Sequence, residues 1–170
     1  LGLNNQTNYS SPVQIPGTTW STAAGTLAGG GASNAGAIRT DGTLWMWGGN
    51  QVGYLGMNDT EAYSSPCQIG TGNDWAKTVD GGNNLGGAIK TNGTLWSTGE
   101  NSHASQTWKN GQLGHGDTTN RSTLAQVGAL TTWKYVTSGG GCTAAIKTDG
   151  TLWVWGGNTA FGQLGVGNTT

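Results

Sequence analysis

The sequence has little charge, and the charge it has is balanced. Charged residues make up 9% of the 170 residues, and the formal net charge is −1. A protein that binds nucleic acid or an anionic membrane surface needs a basic patch, which this composition does not supply. No apolar run approaches the ~20 residues that cross a bilayer. We therefore expect neither nucleic-acid binding nor membrane insertion.

Cysteine is equally scarce. Cys67 and Cys142 are the only two cysteines, and they fall at different positions of the repeated pattern described below. We interpret both as small buried strand residues, with a disulfide or a metal site as the alternatives. The sequence therefore leaves the redox compartment open.

Residues arranged for catalysis are also missing. No Ser-His-Asp or Cys-His spacing surrounds the two histidines, His103 and His115, and we interpret His115 as a surface turn residue. Asp59 and Glu61 form the closest acidic pair, which is a weak basis for the paired carboxylates of a carbohydrate-active enzyme. The run Gly29–Gly31 lacks the lysine and the following helix of a phosphate-binding loop. We expect no enzyme activity, no catalytic residue, no metal site and no cofactor.

Glycine and tryptophan, by contrast, are abundant and recur in register. The chain has 33 glycines and 9 tryptophans. One hairpin sequence, Ala-Ile-Lys/Arg-Thr-Asp/Asn-Gly-Thr-Leu-Trp, occurs at Ala37–Trp45, Ala88–Trp96 and Ala145–Trp153. Its copies begin 51 and 57 residues apart. Such a period is typical of repeat proteins, in which each unit buries its apolar face against its neighbours.

Each unit can be divided into four short strands. The first strand carries a Ser-Pro-Val-Gln-Ile type segment, the second begins at a tryptophan, and the repeated hairpin supplies the third and fourth. The first-strand segments are Ser11–Ile15, Ser65–Ile69 and Thr123–Val127, and the second-strand tryptophans are Trp20, Trp75 and Trp133. Eight of the nine tryptophans recur in this way. We assign those eight to the core or to contacts between units.

The hairpins turn at Asp41-Gly42, Asn92-Gly93 and Asp149-Gly150. A two-residue type I′ turn needs a positive φ at both positions, which Asn, Asp and Gly tolerate best. The sequence therefore predicts three type I′ turns.

These residues resemble the regulator of chromosome condensation repeat. Its signature is a Lys-Thr-Asp-Gly-Thr-Leu-Trp-x-Trp-Gly hairpin followed by Gly-x-Asn-x-x-Gly-Gln-Leu-Gly. The first half stands at 147–156, and variants of the second half stand at 49–56 and 157–165. The resemblance implies an all-β fold, a β-propeller of four-stranded blades. Such rings typically have seven blades, of which this chain would supply about three.

The repeat spacing predicts one propeller segment over residues 1–170. Two units, 37–87 and 88–144, are complete, and two, 1–36 and 145–170, are partial. Because about three blades leave apolar faces and strand edges uncovered, we expect further blades, further copies or partner subunits to complete the ring.

The chain departs from the family pattern in three ways. A histidine that commonly precedes the Ala-Ile strand is replaced by Asn34, Leu85 and Cys142. The second unit has Ser97-Thr98 where the others have a second tryptophan, and it carries an insertion near 102–110. The Asn/Thr/Gly-rich composition is similar to that of prokaryotic and viral members.

The insertion holds the residues that we favour for binding. Trp108 is the one tryptophan outside the repeat register, and Lys109 follows it. A loop on a rigid ring is a common place for binding residues, and an exposed tryptophan beside a lysine is a suitable anchor. We name Trp108, Lys109 and His103 as candidate binding residues. The alternative is a loop that folds back over an exposed strand edge.

The sequence leaves two functions open. The first is a non-enzymatic structural or binding module on a phage virion or a bacterial surface, with protein subunits or a surface glycan as partners. The second, implied by the family resemblance, is an intracellular, cytoplasmic regulator of a small GTPase that promotes nucleotide exchange.

Overall fold

The structure is a computed structural model that describes residues 2–29, 33–78, 84–103, 110–158 and 162–167. Within these ranges the chain forms three antiparallel β-sheets and no helix. The expected all-β class is confirmed.

We call the three sheets blades 1, 2 and 3. Blade 1 contains β1 (Leu27–Gly29), β2 (Asn34–Ile38), β3 (Leu44–Gly48) and β4 (Tyr63–Gln68). Blade 2 contains β5 (Trp75–Thr78), β6 (Leu85–Lys90), β7 (Leu95–Gly99) and β8 (Arg121–Gln126). Blade 3 contains β9 (Trp133–Gly139), β10 (Cys142–Lys147) and β11 (Leu152–Gly156). Consecutive strands pair within each sheet, so the expected four-stranded blades are confirmed for blades 1 and 2, whereas blade 3 has three strands among the described residues. A seven-bladed ring stays a prediction.

The fourth strand of a blade follows its hairpin. In blade 1, β4 pairs with β3, with Met46 opposite Cys67 and Trp45 opposite Gln68. The sequence pattern predicts this Ser-Pro-Cys segment at the start of the following unit instead. The pattern identifies the segment as a strand, but a strand bounded by two loops carries no local signal for which sheet edge it joins.

The first unit departs from the predicted strands. Ser11–Ile15 forms no ladder, because the described residues contain no neighbouring strand for it to join. Trp20 makes only an isolated bridge with Arg39, whereas Trp75 and Trp133 each begin a strand.

The hairpin turns differ from the predicted type. Gly42 has a φ of +82°, but Asp41 is not among the described residues with positive φ. Gly42 N donates to Arg39 O at 3.0 Å, and Arg39 N donates to Thr43 O at 3.0 Å. This is a three-residue loop, a type I turn followed by a left-handed glycine. The type I′ prediction is wrong, because the Asp41 carboxylate accepts hydrogen bonds from Thr43 N and Oγ1 at 3.0 and 2.7 Å without a left-handed backbone.

The cores lie between blades. One cluster joins Ile38, Leu44 and Met46 of blade 1 to Trp75 and Ala88 of blade 2. A second cluster joins blade 2 to blade 3 in the same manner; its members are Leu85, Ile89, Leu95, Leu113, Val127, Trp133 and Ala145. Each blade therefore shields its neighbour from water, as repeat architectures require.

Among the described residues, nothing covers the outer face of blade 3 in this way. Leu152 is 67% exposed, whereas the equivalent Leu95 of blade 2 is 1% exposed. Ile146 is 39% exposed against 2% for its equivalent, Ile89. The difference arises from position in the array, because these residues are identical in type.

Cys67 and Cys142 are both free thiols and both partly exposed. They lie on β4 and β10, so the strand assignment is right although neither is fully buried. Burial raises the pKa of the Cys67 thiol. Among the described residues there is no helix long and apolar enough to span a membrane.

Candidate functional site

In blades 1 and 2, the loop between the third and fourth strands is built around a buried asparagine. Asn50 is 1% exposed, and its Oδ1 accepts a hydrogen bond from Leu55 N at 2.9 Å. Its Nδ2 donates to Asp59 O at 3.1 Å and to Asp59 Oδ1 at 2.9 Å. The other Asp59 oxygen, Oδ2, accepts the Tyr63 hydroxyl at 2.8 Å. Asp59 therefore holds the loop together, which leaves it no free carboxylate to pair with Glu61.

Blade 2 repeats this arrangement. Asn101 is fully buried, and its Oδ1 accepts a hydrogen bond from Leu113 N at 2.9 Å. Its Nδ2 donates to Asp117 O at 2.8 Å. Arg121 donates to both Asp117 oxygens, at 3.0 and 2.8 Å, and these bonds hold the pKa of that carboxyl well below its usual range. We call this arrangement, a buried asparagine bonded to a leucine amide and to an aspartate, the loop frame. It is the same in both blades, except that the aspartate is bonded by Arg121 in blade 2 and by Tyr63 in blade 1.

The frame shows where the second unit is longer. Asn50 precedes its partner Leu55 by 5 residues, whereas Asn101 precedes Leu113 by 12. Ser102 and Asn110, at the two ends of the insertion, form an isolated bridge. The predicted insertion therefore begins and ends within a frame that is otherwise the same as in blade 1.

The base of the insertion is fixed by backbone hydrogen bonds. Asn120 Oδ1 accepts from Asn101 N at 2.7 Å and from Ser102 N at 3.0 Å. Gly111 N donates to Asn101 O at 2.9 Å. The two ends of the insertion are thereby held on a fixed support, the arrangement that binding loops use.

His103 lies at this base. Its Nε2 is 4.0 Å from Oε1 of Glu100, and the exposed fractions of the two side chains are 34% and 4%. Asn84 Nδ2 donates to Glu100 Oε2 at 3.2 Å. The structure thus places a buried carboxylate beneath a half-exposed imidazole. The other two candidate residues, Trp108 and Lys109, lie outside the described residues.

His115 has a role that the sequence did not predict. Ser97 Oγ donates to Leu113 O at 2.9 Å and lies 3.0 Å from His115 Nε2, so the imidazole donates to the hydroxyl. Burial lowers the pKa of His115, which favours the neutral ring. Because Ser97 is only 5% exposed, this Ser–His pair is a structural contact and not a nucleophile open to substrate.

Three basic residues were also missed. Each directly follows Ala-Ile in its copy of the repeated hairpin, and each lies over the rings of two tryptophans of the same repeat. Arg39 Cζ is 3.7 Å from the Trp45 ring centre, and Lys147 Nζ is 3.7 Å from that of Trp153. The full sets are Arg39 with Trp20 and Trp45, Lys90 with Trp75 and Trp96, and Lys147 with Trp133 and Trp153. These cations stabilise the blade and do not form a basic surface.

No group of three or more metal-ligating side chains occurs within the described ranges. The described loops present fixed backbone, amide and imidazole groups, and the loop of blade 2 is longer than that of blade 1.

Comparison with known proteins identifies the repeat. Residues 41–89 match the Regulator of chromosome condensation (RCC1) repeat. The chain is 33% identical over 142 residues to the Ultraviolet-B receptor UVR8 of Arabidopsis thaliana. This match covers 81% of the present chain and 30% of UVR8. It is 30% identical over 144 residues to the human X-linked retinitis pigmentosa GTPase regulator, covering 82% of this chain and 13% of the relative.

A solved structure has the same fold. Prp20p from Saccharomyces cerevisiae, a protein described with its binding to Gsp1p and histones, superposes with a TM-score of 0.65 at 19% identity. The match covers 84% of this chain and 35% of Prp20p, so the present chain spans about a third of that protein. None of the three proteins named here is prokaryotic, viral or a virion component by its name, so the expected prokaryotic or viral origin gains no support.

Proposed function

Because this chain contains an RCC1 repeat at residues 41–89 and two further copies of its hairpin, we propose that it is a segment of an RCC1-type propeller that acts as a protein-binding regulator. Its relatives are named as a receptor and as a GTPase regulator. They favour the regulatory function over the virion or surface module that the composition first suggested.

One observation carries the proposal. The insertion of blade 2 stands on the frame of Asn101, Asn120 and the Ser102–Asn110 bridge, while the matching loop of blade 1 has the same frame without the additional residues. A rigid base limits the conformational entropy that is lost when a loop binds a partner. We propose that this loop, with His103, Trp108 and Lys109, is the protein-binding site.

We propose a small GTPase as the partner class. The human relative is named a GTPase regulator, and it matches 82% of this chain. We further propose an intracellular location, since another protein similar to this chain, from Arabidopsis thaliana, is named as mitochondrial. A glycan partner gains no support from the names of these relatives, which are a receptor and a GTPase regulator.

The test measures nucleotide release from small GTPases and their binding to this chain. It compares the native chain with one variant in which a loop is exchanged. In the variant, residues 102–110 are replaced by Gln51-Val52, which is what blade 1 has between the equivalent asparagine and glycine. The probes are Gsp1p and a panel of purified small GTPases, each loaded with a fluorescent guanine nucleotide. We expect the native chain to bind at least one GTPase and the loop variant to lose that binding while keeping its fold. Trp108→Ala should weaken binding by about tenfold or more, as truncation of an interfacial tryptophan does.

Two results would overturn the proposal. If the loop variant binds as well as the native chain, the binding site lies elsewhere on the propeller. If no GTPase of the panel binds or releases nucleotide faster, the partner class is wrong. Unchanged far-ultraviolet circular dichroism of the variant serves as the folding control.

A further inference from the structure

A groove of about 320 Å³ lies between blades 2 and 3, beside the turn of the β6–β7 hairpin. Its lining combines the apolar side chains of Ile89 and Trp133 with three lysines, Lys77, Lys90 and Lys134. No aspartate or glutamate is among the described residues that line it. Three of the seven basic residues of the chain therefore meet at one place, although they stand far apart in the sequence.

The positive charge of this groove is only partly neutralised. Lys90 Nζ is 3.1 Å from Asp74 Oδ1, so this lysine already has an opposite charge beside it. Among the described residues, neither Lys77 nor Lys134 forms an ion pair. Their Nζ atoms lie 5.0 and 5.4 Å from the ring centre of Tyr135, so two cations share one aromatic side chain. Like charges held near each other repel, and an anion that contacts both would offset that repulsion.

The equivalent positions between blades 1 and 2 lack this charge. Counted from the second-strand tryptophan of each unit, the place of Lys77 is taken there by Thr22. The place of Lys134 is taken by Ala76. The hairpin turn of blade 1 also contributes an acid, Asp41, where the turn of blade 2 has an amide. The basic groove is therefore a property of blades 2 and 3 and not of the repeat in general.

The groove lies away from the insertion. The strand β7 begins beside the hairpin turn that lines the groove and ends before the loop that carries the insertion. Its 5 residues span about 17 Å at the usual rise of a strand. The groove and the insertion are thus at opposite ends of blade 2, and a ligand in the groove does not depend on the insertion.

We propose that this groove binds an acidic segment of a protein partner, with a glutamate or aspartate carboxylate beside Lys77 and Lys134. The two ammonium groups supply the complementary charge. The apolar side chains of Ile89 and Trp133 favour an acidic side chain over a bare phosphate, because they can cover its methylene groups. Nucleic acid fits less well, since its binding proteins neutralise a run of phosphates and this groove is short.

The test is fluorescence anisotropy at low salt with a fluorescein-labelled peptide of alternating glutamate and alanine. The matched probe has glutamine in place of every glutamate. We expect the native chain to bind the glutamate peptide, the binding to weaken as salt is raised, and the glutamine peptide not to bind. No binding of the glutamate peptide, or equal binding of both peptides, would overturn the proposal.

The variant that tests the groove is Lys77→Thr with Lys134→Ala, which introduces the residue types found between blades 1 and 2. We expect it to weaken binding of the glutamate peptide by about tenfold or more, since both cations without an ion pair are removed. Ser11→Glu with Thr60→Glu is the matched control. It changes the net charge by the same two units, at exposed residues outside the groove, and should bind like the native chain.

Equal losses in these two variants would overturn the proposal, because the net charge alone would then explain the binding. Lys77 Nζ also donates to Ala24 O at 3.0 Å, so the double variant is checked for folding by far-ultraviolet circular dichroism. Lys134→Ala alone changes an exposed side chain and provides the second variant, which should also weaken binding. Unchanged binding by a folded Lys134→Ala chain would contradict a carboxylate beside this lysine.

Two further measurements locate the site and identify its ligand. A carbodiimide joins a carboxylate to an amine in contact with it, so the coupled glutamate peptide should map to Lys77 or Lys134 by mass spectrometry. A single-stranded DNA oligonucleotide that binds more tightly than the peptide, and is lost in the same lysine variant, would overturn the choice of an acidic peptide. The variant with residues 102–110 replaced should still bind the peptide, so this outcome is separable from that of the GTPase proposal.

Discussion

At the scale of single residues, the pairing of one cation with two tryptophans recurs in every blade. Within each blade the ring centres lie 6.1–6.3 Å apart and nearly perpendicular, with the cation over both. The second ring of each pair also donates its Nε1 to a threonine of the hairpin, at 2.8–3.0 Å. Turn, cation and ring thus form one connected unit, in which each member fixes the next.

Lys147 is the best position at which to measure how much the cation contributes to stability. It is 8% exposed and lies over Trp153 and Trp133. We expect Lys147→Met to lower the free energy of unfolding by about 1–2 kcal/mol, the range for a largely desolvated cation–π contact. Lys147→Arg should be nearly neutral, since Arg39 occupies the same position in blade 1. Urea unfolding followed by tryptophan fluorescence measures both, and an equally stable Lys147→Met chain would contradict the role of the charge.

The sequence shows the recurrence of these cations but not their ring partners. Arg39, Lys90 and Lys147 stand 51 and 57 residues apart, in step with the hairpins, so their recurrence was visible. Recurrence alone does not identify a partner, because a basic residue at the end of a strand is equally typical of a solvated edge. The sequence signal for this contact was that each basic residue stands at the same distance from the tryptophan of its own hairpin.

At the scale of elements, the hairpin turn is also a contact between blades. Gly93 O accepts a hydrogen bond from Trp133 N at 3.1 Å, and a Cβ on Gly93 would lie 2.0 Å from Thr131 O. Gly42 makes the same close approach to Asn73 O. Gly150, in the same turn of blade 3, has nothing within 4 Å of such a Cβ.

These glycines form a matched pair for experiment. Gly93→Ala and Gly150→Ala both force alanine into a φ near +80°, which costs roughly 1–2 kcal/mol. Gly93→Ala should cost about 1–3 kcal/mol more, because the methyl group collides with fixed backbone. Urea unfolding of the two variants gives the difference directly. Equal losses would mean that the turn of blade 2 does not bear on the following blade.

The elements themselves followed closely from the sequence. The three hairpins and the strands at Trp75 and Trp133 stand where the pattern predicted them. Of the insertion near 102–110, the structure describes the ends, which pair at Ser102 and Asn110. The turn type was missed because an aspartate side chain can satisfy a turn without a left-handed backbone. The grouping of β4 was missed because the partner of a strand is fixed by tertiary contacts.

At the scale of the molecule, burial falls from the middle of the array to its end. Blade 2 is covered on both faces by its neighbours, and β6 is buried over almost its whole length. Blade 3 packs on blade 2 through one face, and the side chains of β11 are exposed or half-exposed. In a stacked array, the stability of each unit depends on the interfaces it makes with its neighbours.

Hydrogen exchange should therefore vary along the chain in a fixed order. At low protein concentration we expect the amides of β6 and β7 to exchange only through global unfolding, and those of β10 and β11 to exchange faster through local opening. The comparison is well matched, since Ile89 and Leu95 have the same residue types as Ile146 and Leu152. Equal protection of the two blades at low concentration would mean that the array unfolds as one unit, and that the exposed face of blade 3 costs it no local stability.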